Sequence, residues 1–347
     1  MLEAIKSRAF SSALAGSALI LLPCAAQAAV EVGISGQVNR LLMNVDNGVE
    51  SGVVHADNSV SGTRWRFDGR GDVGDGMTAG LLYETQLQSN PSNKITVDSL
   101  DSDGVGGNVG SGDLFSTRFS YVWLKGNFGR VGIGQNSGAS DGSAELDLSG
   151  TNVIQYSAAG GDLLGSMEFG SSGVTVGEVR NNFDGLGRND NLRYDAAFDK
   201  FRVAFSVGNG DKVEAGALYQ LDNFKIGLGL WDEKDSGAGN AGSAISASWM
   251  SGGGFNVTAS MGRDDRPGDP QNVYLKLGYK QGDHAFGIDW GETTDLGAGD
   301  ASSYSVAWVG QMLKGVELYA TYRVESLDKV ADAEDIKALA GGARIKF

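Results

Sequence analysis

Cysteine, histidine and proline are all scarce, and the first two scarcities each remove a class of function. The one cysteine, Cys24, lies in an N-terminal stretch that reads as removable, so the remaining chain offers neither a disulfide framework nor thiol chemistry. The two histidines, His55 and His284, fall in a predicted external loop and beside a predicted tight turn, too far apart for a shared serine–histidine or metal site. Beyond residues 1–28 no stretch reaches the roughly 20 apolar residues of a membrane-spanning helix. Basic residues are outnumbered, 28 Lys and Arg against 43 Asp and Glu, and a net charge of −15 argues against nucleic acid, which needs a basic footprint. Four prolines are few, whereas the 54 glycines are about twice the usual share of roughly 7 %. The glycines follow no collagen-like period. A tilted, tightly curved sheet uses them where the backbone bends or is closely approached.

What is present is alternation. In Thr63-Arg64-Trp65-Arg66-Phe67-Asp68-Gly69-Arg70, Trp65, Phe67 and Gly69 fall on one face of a strand and Arg64, Arg66, Asp68 and Arg70 on the other. The pattern recurs at 115–123, 201–207 and 224–230. Short segments of this kind, apolar outside and polar inside, mark a transmembrane β-barrel with a wet interior. The pattern predicts strands at 30–44, 60–72, 77–89, 114–125, 130–136, 188–198, 201–208 and 213–221. It predicts others at 224–233, 243–251, 255–263, 272–281, 284–293, 302–312, 316–326 and 337–347. Connectors rich in Gly, Asn and Asp, such as Asp199-Lys200 and Gly282-Asp283, alternate with long polar ones at 45–59, 90–113, 137–187, 234–242, 264–271, 294–301 and 327–336. Only 209–212 breaks that alternation. The expectation is an all-β fold: one closed antiparallel barrel of about sixteen strands spanning residues 29–347.

The two ends agree. Lys6 and Arg8, an apolar stretch centred on residues 14–22, and Ala26-Gln27-Ala28 make residues 1–28 a signal peptide with a small-x-small cleavage site. At the other end, Leu339, Gly341, Ala343, Ile345 and Phe347 share one face, so the last strand presents an apolar edge to lipid and stops on an aromatic residue. Arg64, Arg66, Arg70, Arg118, Arg202 and Arg323 all alternate with apolar neighbours. An arginine facing lipid at the bilayer midplane costs about 2–4 kcal/mol, so these must face water or protein.

Four segments carry a resemblance to a known family: Gly33-Ile34-Ser35-Gly36-Gln37-Val38, Ser61-Gly62-Thr63-Arg64-Trp65-Arg66-Phe67, the run from Ser116 to Gly129 continuing into Gly132-Ile133-Gly134-Gln135-Asn136, and Arg188-Asn189-Asp190-Asn191-Leu192-Arg193-Tyr194. In order and spacing, across nearly the whole exported chain, they resemble the general porins of the Gram-negative outer membrane. The resemblance implies a sixteen-stranded barrel, a homotrimer, and a third loop, here within 137–187, folded into the channel. It places a constriction between wall arginines, matched here by Arg64 and Arg118 with Arg66 beside them, and loop carboxylates, matched by Asp141, Glu145 and Asp147. A third wall arginine is either Arg188, whose parity is that of outward Leu192 and Tyr194, or Arg193, which the parity favours. Gln37 stands where relatives often carry a lysine. A terminal aromatic such as Phe347 is similar to the signal read by the outer-membrane barrel assembly machinery, and outer-membrane lipid and lipopolysaccharide are the implied surroundings.

Other motifs carry less. Gly237-Ala238-Gly239-Asn240-Ala241-Gly242 matches a dinucleotide fingerprint in letters, but the strand-like Ser246-Ala247-Ser248-Trp249 follows instead of a helix. The acidic runs at 98–104 and 264–266 lack calcium-loop spacing. No catalytic constellation, cofactor or metal site is expected. The functional expectation is passive diffusion of ions and small hydrophilic solutes. The alternatives are a selective sugar or anion channel, for which inward aromatics are few (Tyr274 and Tyr319 are the plainest), and a non-transporting adhesin. In a narrow aqueous gap local fixed charges govern passage, because loop carboxylates beyond a Debye length of roughly 8 Å are screened.

Overall fold

Alternating side chains, once one face is apolar and the other polar, leave a sheet in a membrane only one way to satisfy its edges, which is to close. The computed structural model, which describes residues 30–100, 115–155, 163–234 and 240–347, is closed in this way. The expected signal peptide, the end of the 98–104 acidic run and the first half of Gly237–Gly242 lie outside the described residues. The strands are β1 (Glu31–Asp46), β2 (Ser51–Asp57), β3 (Arg64–Gly74), β4 (Met77–Leu87), β5 (Phe115–Gly126) and β6 (Gly129–Ser137). Next come β7 (Arg188–Phe198), β8 (Phe201–Gly208), β9 (Lys212–Gln220), β10 (Phe224–Glu233), β11 (Gly242–Met250) and β12 (Phe255–Asp264). The ring ends with β13 (Gln271–Gln281), β14 (His284–Thr294), β15 (Asp300–Leu313), β16 (Val316–Asp328) and β17 (Ile336–Lys346).

Apart from β2 and β3, which both pair with β1, each strand pairs antiparallel with its neighbour in sequence, and β17 returns to β1 with Gln37 opposite Lys346. Seventeen segments make sixteen staves, because β2 and β3 lie end to end against the single long β1. The expectation of a long loop at 45–59 is corrected here. A tight turn at Asn47–Glu50 leads straight into β2, and the irregularity sits at Asn58–Thr63, in the middle of the second stave. Inward Gln37 and Asn39 hold that break by donating from their side-chain amides to the Ser61 carbonyl, both at 2.8 Å. Turn chemistry accounts for the short connections. At Asp75-Gly76 both residues have positive φ, 53° and 71°, which matches the twist of the flanking strands.

Exposed apolar side chains cover the outside, among them Trp65, Phe205, Tyr322, Leu339, Ile345 and Phe347. Phe119, Tyr121 and Trp123 do not join them, although strict alternation places them there. The β4–β5 register slips between Glu84 and Thr85: Glu84 faces Phe119 while Thr85 faces Thr117. Arg118 is the extra residue of a β-bulge, so parity reverses beyond it. Val122 and Leu124 point outward instead, 54 % and 38 % exposed, and the three aromatic side chains stand on the lumen face with Glu84 and Leu82.

Candidate functional site

The inner wall has two very different sectors, and the segment between β6 and β7 makes the difference. Its described residues, 138–155 and 163–187, lie on the lumen face of the strands from β8 round to β2. Its base is clamped where Gly138 N–H donates to the Gly187 carbonyl at 2.8 Å and where Arg193 donates to the Ser137 and Gly138 carbonyls at 3.1 and 2.8 Å. Along the wall, hydroxyls take the backbone N–H groups of the loop: Ser206 that of Ala139, Ser246 that of Leu146, and Ser248 that of Leu148, at 2.9–3.2 Å. Lys276, with 0 % of its side chain exposed, pairs with Asp147 at 2.6 Å. Arg180 donates to the Gly291 and Ala301 carbonyls and the Ser303 hydroxyl, and lies 3.5 Å from Glu325.

Two glycines show how close the approach is. A Cβ on Gly216 would lie 2.0 Å from the Ala139 carbonyl oxygen, and one on Gly287 would lie 2.1 Å from the Gln155 side chain. The far end of the loop is fixed by apolar burial. Val153, Ile154, Leu163, Leu164, Met167 and Phe169 pack on Leu41, Met43, Val45, Val54, Ile336 and Ala338, forming an apolar core inside the barrel. Tyr274 and Tyr319 do point inward, but the loop covers them, leaving each 2 % exposed. Their hydroxyls donate to Asp289 at 3.1 Å and Asn39 at 2.6 Å.

The uncovered sector, β3 to β7, carries the arginines. Arg64, Arg66 and Arg118 converge on one carboxylate, Glu84, at 4.0, 2.6 and 2.7 Å. Arg118 also donates to Gln86 at 2.8 Å. Each long side chain lies along the wall and keeps its guanidinium near water, while Glu84 is 2 % exposed beneath them. Three cations against one anion leave the cluster net positive. Arg188 starts β7 with outward parity, opposite Ser137, yet its guanidinium reaches over the Phe119 ring, 5.2 Å from the centroid, within electrostatic range of Arg118.

The loop carboxylates separate into different tasks. Asp141 accepts from the Ser137 hydroxyl and lies within electrostatic range of Arg118. Glu145 accepts from Asn182 at 2.9 Å, and Asp147 is held by Lys276 and by Ser149; both fasten the loop rather than face the arginines. Arg193 is likewise a clamp, paired with Asp195 at 2.8 Å. The alternation missed Asp184, which accepts the Gly142 and Ala144 N–H groups at 2.6 and 2.5 Å and closes the loop on itself. Burial first, then the neighbouring Glu145 and Asp141 carboxylates, push the Asp184 carboxyl well above its ordinary range.

The histidines have structural partners. His284 Nδ1 is 3.2 Å from the Trp308 indole Nε1–H with the rings stacked, and His55 lies 3.1 Å from Arg40. Among the described residues no three His, Cys, Asp or Glu side chains form a group able to hold a metal.

No curated protein matches the chain by sequence. Solved structures match the fold at low identity. An anion-selective porin from Comamonas acidovorans is 16 % identical with a TM-score of 0.64, covering 92 % of this chain and all of that one. A trimer form of the outer-membrane protein OmpT of Vibrio cholerae, 16 % identical, has a TM-score of 0.60 and covers 92 % of this chain and 99 % of its own. The outer-membrane channel DcaP of Acinetobacter baumannii, 13 % identical, has a TM-score of 0.61 and covers 92 % and 97 %. Residues 13–329 match the family described as Gram-negative porin, the barrel and its lumen are those of that fold, and the chain belongs to this family of outer-membrane channels.

Proposed function

We propose that the chain is exported with removal of residues 1–28 and forms a water-filled passage for ions and small hydrophilic solutes, narrowed where Arg64, Arg66, Arg118 and Arg188 face Asp141. The observation that carries this reading is the division of the inner wall. The loop is fastened against the strands from β8 round to β2, so the free lumen runs along the arginine sector. Fixed charges on opposite sides of a narrow aqueous gap act on passing ions and dipoles, and apolar solutes lose by disturbing the oriented water between them. Nothing in this arrangement breaks a bond; it sorts what passes. Four arginines against Glu84 and Asp141 make the gap favourable to anions, despite the negative charge of the chain as a whole.

Assembly as a homotrimer in outer-membrane lipid and lipopolysaccharide, with Phe347 as the terminal residue engaged by the barrel assembly machinery, completes the reading. It is supported by the exposed Phe347 side chain on the outer face. Planar-bilayer recording tests the function. The purified barrel is expected to give discrete steps whose conductance grows in proportion to salt concentration. A protein that inserts yet conducts no ions would be the adhesin instead.

A further inference from the structure

The reversal of parity at Arg118 leaves a feature the constriction does not use. Tyr121 and Trp123 lie against the lumen wall over small residues: a Cβ on Gly80 would meet the Trp123 ring at 2.4 Å, and one on Gly132 lies 3.6 Å from Tyr121. Arg130, across the short Gly126–Gly129 turn, spreads its guanidinium over both rings, 5.3 and 5.2 Å from their centroids, and donates to the Tyr121 hydroxyl at 2.7 Å. Beside it, at the short-turn end of the barrel and under the first turn of the loop, is a cavity of about 390 Å³. Lys125, Arg130, Arg193 and Arg202 line it together with the carboxylates Asp141 and Asp195 and apolar Leu146 and Leu218, so four cations face two anions.

The cations here are in a different state from those at the constriction. Arg64, Arg66 and Arg118 share Glu84, whereas among the described residues Lys125, Arg130 and Arg202 make no ion pair. Arg193 is neutralised by Asp195. Unpaired cations and an apolar wall in one pocket, with one guanidinium already fixed by two rings, suit a ligand that has both a carboxylate and a flat apolar body. The volume falls within the roughly 300–1,000 Å³ of small-molecule sites.

We infer that this cavity is a binding site for small amphipathic organic anions, with aromatic monocarboxylates as the simplest class, placed below the constriction on the solute path. The carboxylate is held by Arg130 and Arg202, and the apolar body lies on Leu146 and Leu218. The inference rests on the channel reading and deepens it: a solute passing the charged gap next meets a site that retains it briefly, weakly enough to let it leave.

The test is current block of the whole barrel in potassium chloride, with benzoate, acetate and uncharged benzamide added in turn. Benzoate is expected to block saturably, and both acetate and benzamide at least about tenfold less well, as each lacks one of the two contacts. Arg130→Gln with Arg202→Gln should weaken the benzoate block about tenfold or more, and Lys125→Gln, on an exposed side chain that holds nothing else, should weaken it less. Acetate blocking as well as benzoate would overturn the apolar half of the site, and benzamide blocking as well would overturn the charged half. Equal benzoate block in the wild type and the double variant would overturn its location. A wild type that conducts but is not blocked refutes this site and leaves the channel standing. A wild type that does not conduct removes both.

Discussion

The two sectors of the inner wall differ in how their polar groups are satisfied. From β8 round to β2 the loop takes up many of the inward groups: serines take its backbone N–H groups, Lys276 takes Asp147, Arg180 takes strand carbonyls, and apolar side chains close the far end. From β3 to β7 the wall is bare, and its charges interact with one another and with water. The covered sector behaves as the interior of a soluble domain turned outside in, where an unmatched polar group is expensive. The bare sector tolerates surplus charge because water reaches it, and only surplus charge can act on a passing ion. On the proposed function, structure is concentrated in one sector and selectivity in the other.

Breaking the covered sector should have the largest effect. Lys276→Met leaves Asp147 buried without its partner, and removing one member of a buried pair typically costs about 3–5 kcal/mol. Thermal unfolding in detergent should show a clear drop, and single channels should become larger and noisier as the loop detaches. Adding Asp147→Leu to Lys276→Met should recover most of the loss, since the uncompensated charge is then gone.

Glu84→Gln acts on the bare sector and should separate the two roles. Three arginines lose their common counter-charge, so stability falls by about 1–3 kcal/mol, the range for a lost charge-assisted bond, while preference for anions rises. A drop in anion preference would show that the guanidinium groups reorient away from the lumen. The bulge is open to a similar check. Gly80→Val puts a side chain where the Trp123 ring lies, and overpacking of this kind costs about 1–3 kcal/mol. In a protein whose other tryptophans are replaced by Phe, aqueous iodide should quench Trp123 and brominated lipid should not. The reverse pattern would restore strict alternation.

The smallest effect concerns pH. The raised pKa of Asp184 means that the folded loop favours its protonated form. Its favourable contribution is complete below the ordinary value near 3.8 and is lost as pH rises through the folded-state value. Stability should therefore decline from acid toward neutral pH over that window, and Asp184→Asn should flatten the decline. An unchanged slope in the variant would assign the pH dependence to other carboxylates.

The strands were legible because a period of two is hard to imitate and because tight turns carry their own residue types. All sixteen predicted segments have a counterpart, with ends displaced by a few residues. Two irregularities were not legible, and both act through register. The break at Asn58–Thr63 and the bulge at Arg118 insert backbone without changing composition. A signal for the second was present: after Tyr121 both parities are apolar, Val122 and Leu124 as well as Trp123, so alternation alone does not choose a face. The inward placement of Arg64 and Arg118 was legible from their setting among apolar neighbours. The contacts of Glu145, Asp147 and Arg193 were not, because they depend on where the loop meets the wall. Lys276, between Leu275 and Leu277, was the available hint that an inward cation awaited a carboxylate.

Reversal potential across a salt gradient tests the central claim, that the bare sector alone sets ion preference, most directly. Arg64→Ala with Arg118→Ala should shift the anion-to-cation permeability ratio toward cations by about twofold or more, equivalent to roughly 0.4 kcal/mol at the constriction. Asp147→Asn, which removes a charge of the covered sector already matched by Lys276, should move it far less. A double arginine variant with the wild-type reversal potential, or an Asp147→Asn shift as large as that of the arginines, would contradict the division of the wall.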